Sequence, residues 1–235
     1  MTSRAARPSR GRPPRGAPQL SIAAIAQAAL AEIDDQGLAG LGVRSVARRL
    51  GVDPKSLYNH VDGKEGLLDA VTDHLLTTMR LPEPTGALET DIDRFARAFR
   101  AHALRHPQAA GLVMTRQTRS RASLVPLDVA LSILVTAGCD HRHAVRLLRM
   151  IMAMLIGTIL READAAFTFA ATTPAEIAHR IAALESSGLP TLTAAARHIA
   201  RVDHDAEFDF VLAAAIRIVT DDLAGRAPSG PAHPG

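Results

Sequence analysis

Apolar residues recur along most of the chain three or four positions apart, and valine and isoleucine follow this spacing instead of alternating with polar residues. Such a period is typical of α-helices that bury one face. The first stripe lies between Ser21, a good helix N-cap, and Gly37, a good helix terminator. Its members are Ile22, Ile25, Ala29 and Ile33. The pattern predicts a first helix from Ser21 to Gly37.

Two short helices are predicted next, with a tight turn between them. One covers about Val43 to Leu50, and Gly51 is placed to end it in the left-handed conformation. The other has Asp53 as its cap and Pro54 at its first position, where a missing N–H costs nothing. It extends to Val61, and Leu57 and Val61 are expected to face inward.

A fourth helix is predicted from Asp62-Gly-Lys-Glu65, which has the spacing of a capping box, to about Arg80. The proline-rich stretch Leu81-Pro-Glu-Pro84 ends it and marks a domain boundary. Further helices are expected over 88–106, 108–115, 123–137, 141–164, 174–186 and 205–224, with a short turn near 192–200. Thr173-Pro-Ala-Glu176 is a second capping-box pattern. We find no internal repeats.

These elements predict an all-α protein with two domains. A disordered basic arm is expected over 1–19, a three-helix unit with its linking helix over 20–80, a larger domain over 81–226, and a disordered tail over 227–235. The single cysteine excludes an internal disulfide, and the basic arm precedes no apolar stretch of the kind a signal peptide requires. The apolar run Met150–Leu160 is too short to span a membrane. We therefore expect a cytoplasmic protein.

Charge is distributed unevenly along the chain. Residues 1–80 hold 11 Lys or Arg and 8 Asp or Glu, so the net charge of +3 resides there, while the remainder balances at 16 and 16. The only two lysines, Lys55 and Lys64, lie close to the only tyrosine, Tyr58. A modest basic bias is weak support for nucleic-acid binding, but this clustering needs a specific reason.

Two short helices joined by a tight glycine-containing turn have the layout of a helix-turn-helix, whose second helix enters a DNA major groove. An ordinary helical hairpin has the same spacing. The exposed face of the second helix favours DNA, because all of its residues there carry hydrogen-bonding tips. They are Lys55, Ser56, Tyr58, Asn59 and His60.

The segment Ala29–Val71 resembles the DNA-binding domain of the tetracycline repressor (TetR) family. The resemblance is carried by Arg44-Ser-Val-Ala47, Leu50-Gly-Val52 and Ser56-Leu-Tyr58-Asn-His60-Val, followed by Lys64 and Leu67-Leu68. Beyond these residues it extends by helix pattern only. It implies a ligand-responsive repressor that binds a palindromic operator as a homodimer. A DNA-binding activator or architectural protein without a ligand switch is the alternative, and derepression by a small molecule would separate the two.

The resemblance also implies residue roles. Arg44 would reach a base edge, and Lys55, Ser56 and Asn59 would face the groove. Tyr58 and His60 would hydrogen-bond phosphates, and Lys64 with the start of the fourth helix would hold another phosphate. A core tyrosine and a surface histidine are the respective alternatives for Tyr58 and His60.

Two departures limit what can be carried over. The family usually has a threonine where this chain has Gly42 or Val43, so one phosphate contact is lost. Asn59 stands at a variable position, so the operator sequence does not follow. In the arm, Arg10-Gly-Arg-Pro13 is similar to a minor-groove AT-hook core, so Arg10 and Arg12 are candidate DNA contacts, although a solvated basic tail has the same composition.

The larger domain is expected to dimerise and to bind an effector. The helices near 141–164 and 205–224 carry apolar residues on nearly every side, and in the family they form a four-helix bundle with the partner. Burial within one subunit is the alternative. Candidate pocket residues are apolar side chains with two polar neighbours, any of which could instead be plain core: Phe95, Phe99, Leu112, Met114, Arg116, Gln117, Leu131, Met150, Met154 and Phe167.

Tetracycline itself is not expected as the effector. Family members that bind it use a histidine as a metal ligand near the segment corresponding to Gly111–Arg116, where this chain has none. His102 and His106 stand four apart as a possible metal pair, but no third ligand is evident and surface histidines explain them. We expect no metal and no cofactor.

An enzyme is not expected either. The chain has no phosphate loop, no dinucleotide fingerprint and no nucleophile elbow. Cys139 is the one potential nucleophile, and a structural thiol is the simpler interpretation.

Overall fold

The protein is described by a computed structural model that covers residues 20–116, 120–163 and 173–226. Within these ranges its regular elements are all helical, which confirms the all-α class. The α-helices are α1 (Ile22–Gly40), α2 (Val43–Leu50), α3 (Pro54–Leu57), α4 (Gly63–Thr77), α5 (Leu88–Ala103), α6 (Ala110–Thr115), α7 (Val125–Thr136), α8 (His141–Ala163), α9 (Pro174–Glu185), α10 (Pro190–Ala200) and α11 (His204–Arg226), and the 3₁₀-helices are Pro107–Ala109 and Ala122–Leu124. The predicted arm 1–19 and tail 227–235 lie outside the described residues.

Helix α1 begins as its sequence predicts. The Ser21 hydroxyl accepts a hydrogen bond from the N–H of Ala24 at 3.2 Å, which satisfies one of the free donors of the first turn. The stripe is buried except for Ile22, which is 45% exposed. The prediction for Ile22 was wrong because this residue lies in the first turn, at the end of the helix. Gly37 leaves helical geometry with φ of 69° and ends the regular part of α1.

The turn after α2 is a left-handed C-cap. Gly51 has φ of 67°, and the N–H of Val52 reaches back to the carbonyl of Ala47 at 3.0 Å. Since a side chain is strained at positive φ, glycine suits this position. The Asp53 carboxylate accepts from the N–H of Lys55 at 2.8 Å and so caps α3.

Helix α3 is shorter than predicted. Its α-helical residues end at Leu57, and the chain continues as turns to His60, whose N–H bonds the Leu57 carbonyl at 2.9 Å. The sequence signals for starting this helix were sound. No local signal showed that its last turn would tighten to an i, i+3 pattern.

The predicted capping box of α4 is also wrong. Asp62 is the N-cap residue but makes no capping hydrogen bond through its side chain, and Gly63 follows it with φ of 58°. Glu65 makes no hydrogen bond back to Asp62, and its carboxylate accepts from Arg116 at 3.0 Å. A distant cation has thus replaced a local contact. By contrast, the capping box of Thr173 and Glu176 at the start of α9 is formed.

The N-terminal core is completed by residues beyond the proline-rich boundary. Ile25, Ile33, Leu57 and Leu67 are fully buried among α1–α4. Two residues at the end of the first 3₁₀-helix and in α6 join the same cluster, Ala109 and Leu112. Because these side chains lie in a core built mainly from residues before 80, the two domains share part of their packing.

The second core lies among α5, α7, α8 and α11. Its fully buried large side chains are Leu134, Leu155, Ile159, Phe208 and Leu212. Helix α8 is long and apolar enough to suit a membrane span. Its buried residues instead pack into this core, beside α7 and α11, as expected for the central helix of a helical domain.

Residues 190–200, predicted as a short turn, form the eleven-residue helix α10. Its many alanines favour helix formation. It packs against α9, and together the two helices form a hairpin that lies between α8 and α11 in the sequence.

Candidate nucleic-acid interface and apolar cavity

The segment after the tight turn presents a polar face to solvent. Leu57 is fully buried and Val61 is 6% exposed, so the side chains between and before them are directed outward. Tyr58 is 61% exposed, so it is not a core tyrosine. Asn59, His60 and Lys55 are exposed and Ser56 is half-buried.

Helix α2 adds cations next to this segment. Arg44 is exposed at the second position of α2. Arg48, which sequence reasoning did not single out, is also exposed and lies four residues later, so it shares a side of the helix with Arg44. That spacing was the available signal. Arg49 differs, because Glu32 and Asp35 of α1 hold its guanidinium at 2.9 and 2.5 Å.

Lys64 lies exposed in the first turn of α4. Its ammonium group donates to the carbonyl of Leu38 at 2.9 Å, which ties α4 to the end of α1. The backbone N–H groups of this first turn have no side-chain cap from Asp62. Free N–H groups at a helix N-terminus and a nearby ammonium are together suited to an anion.

The candidate arm residues Arg10 and Arg12 lie outside the described residues. At the start of α2, where the family usually has a threonine, the N–H of Gly42 donates to the Ser45 hydroxyl at 3.1 Å. Ser45 thus supplies one half of a capping box from inside the helix, whereas Gly42 has no side chain to supply the other half.

An apolar cavity of about 180 Å³ lies in the second domain. A smaller one of about 20 Å³ adjoins it and shares Phe95, Ala130, Leu148 and Met152 as wall residues. The walls of the larger cavity are Leu76, Phe95, Phe99, Val113, Arg116, Ser123, Leu124, Pro126, Leu127, Ala130, Leu148 and Met152. The contributing elements are α4, α5, α6, α7 and α8 with the second 3₁₀-helix.

Three of the predicted pocket residues, Phe95, Phe99 and Arg116, line this cavity. Phe95 and Phe99 stack with ring centroids 6.4 Å apart. Leu112 instead belongs to the N-terminal core. Leu131, Met150 and Met154 are half-buried against the second core and are not among the wall residues. Gln117 and Phe167 lie outside the described residues, as does the side chain of Met114.

The residues that sequence reasoning missed follow from helix geometry. Leu148 and Met152 are spaced i, i+4 and face the cavity, whereas Met150 and Met154 lie on other sides of α8. An all-round apolar helix has no polar side to show which methionine faces inward. Leu124 and Leu127 lie within the helix predicted over 123–137, but the apolar pattern did not show which of its residues face the cavity.

The candidate metal pair does not form a site. His102 is buried at 4% exposure, not on the surface as the alternative interpretation supposed, and its Nδ1 contacts the guanidinium of Arg105. His106 lies 2.8 Å from Asp34. No group of three or more potential metal ligands occurs in the part of the chain described. Cys139 is buried, and burial raises the pKa of its thiol, which is the reverse of what a nucleophile needs.

A helix-turn-helix with an outward polar face, followed by a helical domain with an apolar cavity, is the arrangement typical of two-domain DNA-binding regulators. Comparison with known proteins agrees. The family described as bacterial regulatory proteins, tetR family, matches residues 25–71, and the family described as tetracyclin repressor-like, C-terminal domain, matches residues 81–217. The chain therefore belongs to the tetracycline repressor family, as its motifs predicted.

Two proteins of similar sequence are transcriptional regulators. The chain is 30% identical over 139 residues to an HTH-type transcriptional regulator of Saccharopolyspora erythraea, covering 59% of each protein. It is 31% identical over 142 residues to the class A tetracycline repressor protein of transposon 1721 from Escherichia coli, covering 59% of this chain and 65% of that protein. The matched segments thus span less than two thirds of these relatives.

Solved structures share the fold more completely. The crystal structure of apo ActR from Streptomyces coelicolor matches with a TM-score of 0.76 at 24% identity, over 88% of this chain and 98% of that chain. ActR in complex with actinorhodin matches with a TM-score of 0.72, also at 24% identity, over 91% of this chain and 99% of that chain. These similarities support the two-domain helical architecture.

Proposed function

We propose that this protein is a ligand-responsive transcriptional repressor that binds a palindromic operator as a homodimer in the cytoplasm. The observation that carries the proposal is the outward polar face from Lys55 to His60, held in place by the buried Leu57 and Val61. Such a face has no packing role within the chain, and its side chains suit the phosphates and base edges of a major groove. The relatives described as transcriptional regulators and repressors support the same role.

The residue roles proposed here divide into two kinds. Arg44, Lys55, Ser56 and Asn59 contact base edges, while Tyr58, His60 and Lys64 contact phosphates. Base contacts carry sequence information, so the loss of one should change the preferred sequence. Phosphate contacts set position, so the loss of one should weaken binding about equally for all sequences.

Binding-site selection from random duplexes tests this division. The protein should enrich a palindrome. In fluorescence anisotropy, Tyr58→Phe should weaken binding about equally for all duplexes, whereas Asn59→Ala should change the preferred base at one position of each half-site. Ser132→Ala, on the exposed side of α7, serves as the control with unchanged affinity. Failure to enrich any duplex would refute the DNA-binding role.

The dimer is proposed to form through α8 and α11. On α11, Phe210 is 71% exposed and Ile218 is 44% exposed, although the opposite side of this helix is fully buried. On α8, the exposed small residues Ala153 and Gly157 allow a second helix to approach closely. A helix that is apolar on its outer side is expected to be covered by a partner.

The oligomeric state of a charged variant tests this interface. Phe210→Lys should convert the dimer to a monomer in light scattering after gel filtration, because an ammonium group would be buried at the interface. Val125→Lys is a matched control, since Val125 is 51% exposed on α7. A wild-type monomer, or equal dimerisation of both variants, would contradict the proposed interface.

The cavity between α4 and α8 is proposed as the effector site. Its volume of about 180 Å³ is below the usual range of ligand pockets, roughly 300–1,000 Å³, so a small effector is expected. We do not propose tetracycline, because the segment Gly111–Arg116 has no histidine to ligate its metal. Effector binding should release the operator, and operator binding should lower effector affinity by the same factor.

A further inference from the structure

The wall of the apolar cavity carries a single charge. Of its lining residues within the described chain, Arg116 alone is ionised, and Ser123 is the one other side chain with a polar tip. The Ser123 hydroxyl already donates to the Ser120 carbonyl at 2.9 Å. None of the described wall residues is a carboxylate, so the fixed charge among them is a cation set among aromatic and aliphatic groups.

Arg116 also bridges to the linking helix. It is the C-cap residue that directly follows α6. Its Nε and Nη2 donate to Asp69 of α4 at 3.0 and 2.6 Å. Nη2 donates further to Glu65 of α4 at 3.0 Å. Its Nη1 has no hydrogen-bond partner in the part of the chain described, so two N–H donors remain for another acceptor.

The ion pairs of Arg116 with Asp69 and Glu65 are weak enough for the anionic group of a ligand to replace them. The side chain of Arg116 is 23% exposed, whereas those of Asp69 and Glu65 are 64% and 75% exposed. Ion pairs with such solvated carboxylates contribute little, because water competes for both partners. An anion carried by an apolar body gains the burial of that body against the cavity wall in addition to its ion pair with the same guanidinium.

We infer that the effector is a small apolar molecule with one acidic group, and that this group pairs with Arg116 in competition with Asp69 and Glu65. The inference rests on the proposed function of the cavity and specifies the chemistry of its ligand. A carboxylate or an acidic phenol satisfies it, with the apolar body lying against Phe95, Phe99 and Met152.

The competition has a structural consequence. Glu65 lies in the first turn of α4, directly after the residues proposed to contact DNA, and Asp69 lies one turn later. When the effector takes Arg116, the link from α6 to these two turns is weakened. The N-terminal end of α4, which adjoins the helix-turn-helix, then makes one contact fewer with the second domain.

Matched acid and alcohol probes test the ligand class with the full-length protein. Affinities are measured by calorimetry for octanoate and octanol, and for phenylbutanoate and phenylbutanol. The wild type should prefer each acid. Arg116→Gln should weaken acid binding by about tenfold to a hundredfold, the loss expected for a charge-assisted hydrogen bond. It should leave alcohol binding unchanged, which also shows that the cavity remains intact.

Arg121→Gln is the matched control. It removes the same charge from an exposed residue five positions later that does not line the cavity, so it should keep the preference for acids. Asp69→Ala should act in the opposite direction and tighten acid binding by about two- to fivefold, because it removes a competitor.

Three results would overturn the inference: equal or better binding of the alcohols, an acid preference that survives in Arg116→Gln, or no binding of either acid. Weaker acid binding by Asp69→Ala would overturn the competition. If the wild type still selects and binds an operator in any of these cases, the proposed regulatory function stands and only the ligand class is wrong. Loss of operator binding by the wild type would instead refute the proposed function.

Discussion

The Nδ1 atom of His106 lies 2.8 Å from Oδ2 of Asp34, joining the segment after α5 to α1 across the predicted domain boundary. The two residues are 72 positions apart. Close to this contact, Ala109 and Leu112 enter the N-terminal core. The DNA-binding unit is therefore fastened to the second domain by a polar contact and a shared apolar core, as well as by the chain connection at 78–87.

The shared core leads to a prediction about stability. Leu112→Ala should lower the free energy of unfolding by about 2–5 kcal/mol, because it leaves a cavity in a packed interior. Hydrogen exchange should show the loss in the amides of α1, although Leu112 belongs to α6. Leu189→Ala, at a residue that is 55% exposed, should change stability by less than about 0.5 kcal/mol. Faster exchange confined to the second domain would contradict the shared core.

The position of Lys64 leads to a prediction about salt. Its ammonium group is already held at the Leu38 carbonyl, so it can meet a phosphate without being ordered first. Lys64→Gln should make the plot of log affinity against log salt shallower by about 0.9, the contribution of one phosphate contact. Arg80→Gln removes the same charge from an exposed residue beyond α4 and should leave the slope unchanged. If both slopes equal that of the wild type, Lys64 does not contact phosphate.

A third prediction concerns the connection between α4 and α5. Asp91 is buried at 4% exposure, and its carboxylate accepts from the N–H of Thr85 at 2.7 Å, the Thr85 hydroxyl at 2.8 Å and the N–H of Gly86 at 2.9 Å. These hydrogen bonds lower the pKa of the Asp91 carboxyl below its ordinary value. Asp91→Ala should lower the Tm by several degrees, because it removes the three hydrogen bonds by which this carboxylate fixes the turn at Thr85 and Gly86.

Glu89→Ala is the control for the Asp91 substitution. Glu89 is also acidic and lies in the same first turn of α5, but it is exposed. It shares the favourable interaction with the helix dipole and lacks the hydrogen bonds to Thr85 and Gly86. An equal loss of Tm in the two variants would show that the dipole, and not the hydrogen-bonded turn, stabilises this connection.

The buried His102 leads to a prediction about pH. Burial and the adjacent positive charge of Arg105 lower the pKa of His102 below its ordinary value of 6.5. The unfolded chain therefore binds a proton at a higher pH than the folded chain does, so stability falls as the pH drops through and below that value. Between about pH 7.5 and about pH 5.5, the Tm of His102→Gln should fall less than that of the wild type.

His179→Gln is the matched control for pH. His179 is exposed on α9, so its removal should leave the pH dependence of the Tm like that of the wild type. A wild-type Tm that rises on acidification, or the same pH dependence in His102→Gln, would show that His102 does not destabilise the fold at low pH.

The helix caps of the DNA-binding unit could be predicted because capping depends on residues close together in the sequence. Ser21, Gly51 and Asp53 act on backbone groups within a few residues, so their capping roles could be inferred from the sequence and are present in the structure. The outward direction of Tyr58 followed from the spacing of Leu57 and Val61, since helical geometry places them on the opposite side. Where a distant partner intervened, as Arg116 does at Glu65, the local signal failed.

The amino-acid sequence by itself determined the class of fold, the positions of most helices and the polar face of the helix-turn-helix, because helix periodicity and capping depend on neighbours along the chain. Only the tertiary structure decided which side chains line the cavity, why Leu112 serves the other domain and which carboxylates hold Arg116. These depend on how helices distant in sequence pack together. In a chain so rich in apolar helices, many packings satisfy the same pattern, and side-chain fit selects among them.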